Sequence, residues 1–302
     1  MRRRTFLAAL ATSQALAAEP ELRVAVNRTT IESAPLLIQP IPGVLVVPVA
    51  NGRTASAQLV SGEADAATGS ETQALLNSVA QSDLRIILTL AECRYRLVAR
   101  RSAGIRGVAD LRGQRVAVTR NTSAEYFLSG MLGTAQMTES DIRLVALEGD
   151  AMPAALAQQA VEGIAIWEPH AQNAIDRLGN DAVVLENPAV YRERFNLNTT
   201  VRVLSDPVKR RALANLVRAV IRISAQLENS RPVLAKAIAT PEPVIAKVWG
   251  QFRFPAALDE PQLRIVLDAM EPWAAAISRR QPRPQEMLAA LIDGSVLAEA
   301  RR

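Results

Sequence analysis

Three short polar clusters in this chain have the residue types and spacing of ligand-binding turns. Asn121, Thr122 and Ser123 stand between a β-branched run, residues 115–119, and a helical pattern of Phe127, Leu128, Met131 and Leu132. A helix start exposes backbone N–H groups that lack intrahelical partners and carries a partial positive charge. Hydroxyls and amides gathered there hold an oxyanion or a carbonyl. Thr29 and Thr30 take the same position after the first alternating run, and Ser70, Glu71 and Thr72 after the third. Glu71 would repel an anion and favour a ligand amine or hydroxyl. Ser and Thr also serve as plain N-caps, so capping stands beside binding as a reading of each cluster. The chemistry is recognition of a small molecule, and in open α/β sheets that happens outside the carboxyl ends of the strands.

The two other reactive residue types occur once each. Cys93 forms neither an internal disulfide nor a cysteine-built metal site, and reads as a small buried apolar residue. His170, the sole histidine, rules out a histidine cage or a paired proton shuttle, and reads as a residue on a helix surface. No metal and no cofactor is expected.

The elements that must position these clusters alternate along the chain. Strands are expected at residues 21–26, 43–49, 63–67 and 84–90, with helices at 54–61 and 71–80 and a further helix start near Pro35. Gly62 stops the second helix. A strand at 97–101 leaves this unit. A second set follows: strands 115–119, 142–147, 163–166 and 182–185 alternate with helices 124–132, 152–160 and 169–178. One more strand is expected at 198–204, then nearly continuous helix from residue 206 onward. The βαβ rhythm requires a parallel sheet covered by helices, so the fold class is α/β.

At 302 residues, with 49% hydrophobic and 22% charged side chains, the chain has the composition of a folded globular protein of two domains or lobes. Arg2, Arg3 and Arg4, then Phe6, Leu7 and small apolar residues ending in Ala15-Leu16-Ala17, describe an export signal over residues 1–17. Its Arg-Arg-Thr-Phe-Leu core resembles a twin-arginine signal, with Ala8 where lysine is usual; a general-secretion signal is the other reading. Without those three arginines the formal charge of +5 falls to +2, which is no balance for binding a polyanion. Aromatics are 4% and no basic cluster is interleaved with them, so nucleic acid is excluded as a partner. The apolar run of the signal is too short for stable membrane insertion.

Three segments resemble one family. Residues 57–65 (AQLVSGEAD) match an ALxSGExD element, residues 110–118 (DLRGQRVAV) a DLKGKKVAV element, and residues 162–169 (EGIAIWEP) a DAxxxWxP element. These are similar to the nitrate/alkanesulfonate/taurine-type solute-binding proteins of bacterial ABC importers, which share ancestry with thiamine-pyrimidine precursor binders. Gln159 and Glu162 depart from the usual glycine and aspartate of the last element.

The resemblance implies a type II periplasmic-binding-protein-like fold, with two α/β lobes joined by two crossover strands near residues 95–101 and 198–204. Lobe 1 would comprise residues 18–100 plus 199–302, with a helical C-terminal tail packed mainly on it, and lobe 2 residues 101–198. It further implies a periplasmic monomer that closes on a small anionic or zwitterionic solute of the sulfonate, taurine or nitrate class and docks on permease subunits. Trp167 would then wall the cleft, Glu168 would face the ligand, and Arg94, near the crossover, would neutralise an anionic head group. Two other classes share the fold. An enzyme acting on a pyrimidine or menaquinone precursor is one, opposed by the single His and Cys and by the export signal. The effector domain of a regulator is the other; it needs an N-terminal helix-turn-helix, and the export signal occupies that end instead.

Overall fold

The computed structural model describes residues 21–302, so the export-signal reading lies outside the described residues. Two sheets organise them. The first contains β1 (Leu22–Asn27), β2 (Val44–Val49), β3 (Ala66–Ser70) and β4 (Leu84–Arg94). The chain then crosses to the second sheet, built from β5 (Arg96–Arg100), β6 (Arg115–Val118), β7 (Arg143–Ala146), β8 (Gly163–Ile166) and β9 (Ala182–Leu185). It returns to complete the first sheet with β10 (Arg192–Thr200) and β11 (Phe252–Arg253). The strand orders are β11-β4-β10-β3-β1-β2 and β7-β6-β8-β5-β9.

In each sheet the strands that follow a βαβ rhythm are parallel: β1 with β2 and β3, and β6 with β7 and β8. The strands that carry the chain between sheets run antiparallel, β10 against β3 and β4, and β5 against β8 and β9. The carboxyl ends of all parallel strands therefore point the same way within each sheet. Central strands read as unbroken buried runs, as sheets covered on both faces require: Val24, Ala25 and Val26 in β1, Ile86 to Leu88 in β4, Ile164 to Ile166 in β8 are all fully buried.

Between β4 and β5 stands a single residue, Tyr95, so the first crossing is a direct step from one sheet into the other. The second crossing departs from expectation. The strand predicted at 198–204 begins at Arg192 and ends at Thr200, whose hydroxyl accepts from Val203 N at 3.3 Å and caps a turn of helix, Val201–Leu204. Charged residues 192–194, ahead of the predicted strand, pair in register with residues 92–94 of β4. β3 likewise lies later than predicted, because its small residues carry no periodic signal.

Helices of the C-terminal third pack on the first sheet, where the segment around Ile292 also bonds β4 through Ile86 N to Leu291 O (2.7 Å) and Asp293 N to Ile86 O (3.0 Å). They reach the second unit as well: Lys247 pairs with Asp176 at 2.9 Å, and Trp273 meets Tyr126 with ring centroids 5.3 Å apart. The helix Gly52–Ser61 ends as predicted on Gly62, which adopts φ +82° with its N–H bonded to Leu59 O. A Cβ there would also lie 3.3 Å from the Arg202 guanidinium. Gly62→Ala should cost about 1–2 kcal/mol in urea unfolding; an unchanged midpoint would show that the turn relaxes.

Candidate functional site

The carboxyl ends of the parallel strands in both sheets face one cavity of about 340 Å³. From the first sheet come the turns after β1 (Asn27 to Glu32), after β2 (Ala50 to Arg53) and at the end of β3 (Ser70, Gln73). From the second come Thr119, Thr122 and Ser123 after β6, Glu148 to Asp150 after β7, and Trp167 and His170 after β8. Tyr95 of the first crossing, with Glu193 and Phe195 of the second, completes the floor.

Side chains fix these turns locally. Asn27 Oδ1 accepts from Thr29 N (3.1 Å) and Thr29 Oγ1 (2.9 Å), folding the post-β1 turn on itself. Asn51 Oδ1 caps the helix Gly52–Ser61 by accepting from Thr54 N at 2.9 Å, and Ser70 Oγ accepts from Gln73 N at 3.2 Å. Thr122 Oγ1 accepts from Ala124 N and donates to Thr119 O at 2.7 Å, so it caps the helix Ser123–Gly133. Gly149 brings the post-β7 turn close: a Cβ there would sit 3.2 Å from both Trp167 Cζ2 and His170 Cδ2.

Of the residues expected to touch a ligand, Thr29, Thr30, Ser70, Thr122, Ser123 and Trp167 line this cavity. Five do not. Glu71 opens the helix Glu71–Asn77 and Glu168 lies in the turn after β8, each turned away from the cavity that its predecessor lines, while Arg94, the last residue of β4, alternates with Tyr95. Glu71 is fully buried behind the wall and accepts from Arg194 N at 2.9 Å. Thr72 beside it is equally buried, its hydroxyl 3.5 Å from Tyr191 Oη. Glu168 is fully buried against Arg96 and accepts from Gln172 N at 3.1 Å. Arg94, half-buried, sits opposite Arg192 in the β4–β10 ladder. Asn121 takes the left-handed conformation (φ 57°) that turns the chain into the helix, and its side chain faces out.

Several lining residues escaped the sequence reading. His170 lines the cavity half-buried rather than sitting on an outer helix surface, and burial lowers its pKa. Glu32 and Glu193 lie at the floor, 1% and 3% exposed. Glu193 Oε1 accepts from Tyr95 Oη at 2.8 Å and Ser123 Oγ at 3.0 Å. Burial, above all, pushes Glu193 up to about 7 against the pull of those donors; burial and then the charge of Glu193 push Glu32 well above the usual carboxylate range. A glutamate in a polar stretch gives no sequence signal of burial; Tyr95, a lone aromatic at a strand junction, does. At the mouth Arg53 pairs with Glu148 at 3.3 Å, joining the two halves, both side chains more than half exposed. Among the described residues no three His, Cys, Asp or Glu side chains are gathered to hold a metal ion. No described helix is long and apolar enough to cross a membrane.

A family model described as NMT1/THI5 like matches residues 43–222. No curated protein sequence matches the chain. Solved structures match over nearly the whole length. The alkanesulfonate-binding protein SsuA from Xanthomonas axonopodis pv. citri, bound to MOPS, superposes with TM-score 0.71 at 21% identity, covering 92% of this chain and 99% of that one. The periplasmic nitrate-binding protein NrtA from Synechocystis PCC 6803 gives 0.73 at 13% identity, covering 92% and 87%. The desulfurization enzyme DSZB gives 0.65 at 14% identity, covering 92% and 98%. At these identities the likeness establishes the fold: two α/β units of the periplasmic-binding-protein type with a helical C-terminal region.

Proposed function

Because this chain belongs to the NMT1/THI5-like family, we propose that it is the solute-binding component of an ABC importer, acting in the periplasm after export. The lobes are the two units built on the two sheets, and the solute is a small organic molecule held in the cavity between them. Permease subunits are its partners. The observation that carries this reading is the convergence of turns from two separate sheets on one cavity, with the sheets joined by two short crossings. Such a frame closes by hinge rotation about the crossings and buries what it has caught. The Arg53–Glu148 bridge spans the mouth, but an exposed pair is worth about 0–1 kcal/mol. Closure therefore depends on contacts the solute itself supplies.

Fold likeness to the desulfurization enzyme keeps a second reading, an enzyme on the same frame. The sole thiol offers it little. Cys93 is fully buried, donates to Arg94 O at 3.2 Å and lies off the lining, and burial raises its pKa well above normal.

A thermal-shift screen against sulfonates, nitrate, taurine, aromatic acids and pyrimidines tests capture. A ligand at about 100 times its Kd stabilises by about 2.7 kcal/mol, which for a chain of this size raises Tm by about 5 °C. Thr122→Ala with Ser123→Ala should lower affinity for any hit by roughly tenfold or more, with ligand-free stability within about 2 kcal/mol of wild type. Equal affinity in the double variant removes both hydroxyls from the site. A hit recovered chemically altered after incubation favours the enzyme reading instead.

A further inference from the structure

We propose that the solute carries a protonated nitrogen, as an ammonium, amidinium or protonated ring nitrogen, which docks on the Glu32 and Glu193 carboxyls at the cavity floor. This inference rests on the solute-capture reading and names the class of molecule captured. Glu32 is 1% exposed, lines the cavity, and its Oε2 has no hydrogen-bond partner among the described residues. Thr30 Oγ1, on the same turn and 4% exposed, is also unpartnered among them. Buried polar atoms of folded proteins are nearly always satisfied, and a carboxylate oxygen left without a donor is the costliest kind of exception. A donor arriving with the ligand satisfies it. Glu193 is the opposite case: its Oε1 is already held by Tyr95 and Ser123, which fixes the carboxyl in place beside Glu32.

Charge around the cavity has the same sense. Besides the pair at the floor, Glu148 and Asp150 line the mouth. Among the described residues the one guanidinium on the lining, Arg53, is tied to Glu148 and 57% exposed. An anion at the floor would meet two carboxyls and no described cation. Tyr95, Trp167 and Phe195 wall the same space, and aromatic faces also attract cations. The volume of about 340 Å³ limits the guest to a small molecule. If the solute is a zwitterion, its acid end has Arg53 and the start of the helix Gly52–Ser61 on the lining to meet it.

Burial and the charge of Glu193 both disfavour the ionised form of Glu32, so without a ligand the pair resists carrying two negative charges, and an arriving cation relieves that. The titratable groups around them are Tyr95, Tyr191, Cys93, Glu71 and Glu168; all are acids, so none offers a compensating positive charge, and burial raises the pKa of each.

Isothermal titration with matched probes tests the assignment: 2-aminoethanesulfonate against 2-hydroxyethanesulfonate, 3-aminopropanoate against 3-hydroxypropanoate, and benzamidine against benzoate. The nitrogen-bearing member of at least one pair should bind 100-fold tighter or more, and Glu32→Gln should abolish that preference. Tighter binding by the oxygen members would overturn the cation assignment and leave solute capture standing. A ligand-free measurement decides separately. A carboxylate kept for a guest costs stability in its absence, so Glu32→Gln should raise Tm at pH 8. A lower Tm in that variant would make Glu32 a structural residue and overturn the proposal.

Discussion

Ligand-free protein should lose on the order of 5 kcal/mol of unfolding free energy between pH 5 and pH 8. Glu71 is the main reason. It is fully buried, Oε1 has no partner among the described residues, and burial with the charge of Glu193 pushes its pKa up to about 8, the Arg194 contacts opposing. In the unfolded chain the same group titrates at its ordinary value of 4.5. Between those pH values the folded state holds a proton that the unfolded state has released. Stability is then complete below pH 4.5, falls as pH rises toward 8, and levels off once both states are ionised. Glu193, at about 7, adds a parallel loss over a narrower window, and Glu32, also raised by burial, acts in the same direction. His170 works the other way, because burial depresses its pKa and favours the folded state as pH rises through 6.5; one group does not offset three. At low pH the sign reverses: Glu271, held down to about 2 by Arg280 and Arg283 against the opposing effect of burial, gives stability that is lost as the solution is acidified below 4.5. The optimum should lie near pH 5. Urea unfolding at pH 3, 5, 6.5 and 8 would measure it, and Glu71→Gln should flatten the limb above pH 5. A stability that holds steady or climbs from pH 5 to 8 would mean these carboxyls are hydrated and not buried.

What could be read from the chain followed the physics of each segment. Strands Gly163–Ile166 and Ala182–Leu185 begin and end where expected, because apolar runs bounded by turn residues leave one solution. Gly62 marks its helix end for the same kind of local reason. The failures are local in a different sense. β10 buries Glu193, Asn196, Asn198 and Thr199 at positions where a strand normally places apolar residues, so hydropathy misses its first half. Glu193 faces the cavity, Asn196 meets Thr89 and Thr199 donates to Asp65 O within the first unit, and burial of polar residues is a tertiary fact with no one-dimensional trace. Helix-start hydroxyls, by contrast, were legible: Thr29, Thr122 and Ser123 sit on the lining because strand order and capping chemistry alone bring them there. Which of two neighbours faces in was not. Choosing between Ser70 and Glu71, or Trp167 and Glu168, needs the geometry of the turn where strand gives way to helix, and tertiary packing sets that.

Glu168, between Trp167 and Pro169, lies off the cavity lining and is fully buried, with Arg96 of β5 as its countercharge. Arg96 Nε donates to Glu168 Oε1 at 2.6 Å, Arg96 Nη2 donates to Gln172 Oε1 at 3.1 Å, and Gln172 N returns a bond to Glu168 Oε2. Burial still raises the Glu168 pKa despite Arg96, so the carboxylate is poorly solvated even when paired. Arg96→Met should therefore cost about 3–5 kcal/mol at pH 7, because it leaves an uncompensated buried charge. Replacing both partners, Arg96→Met with Glu168→Gln, should restore most of that loss, since a neutral amide needs no countercharge and its carbonyl oxygen still accepts from Gln172 N. A coupling energy of about 2 kcal/mol or more in the double-mutant cycle is the signature. The single variant should also weaken solute binding more than its distance from the cavity suggests, because the same turn aims Trp167 and His170 into the lining. If Arg96→Met costs under about 1 kcal/mol and the second change recovers nothing, the turn is held by packing on Gly149 and not by the ion pair.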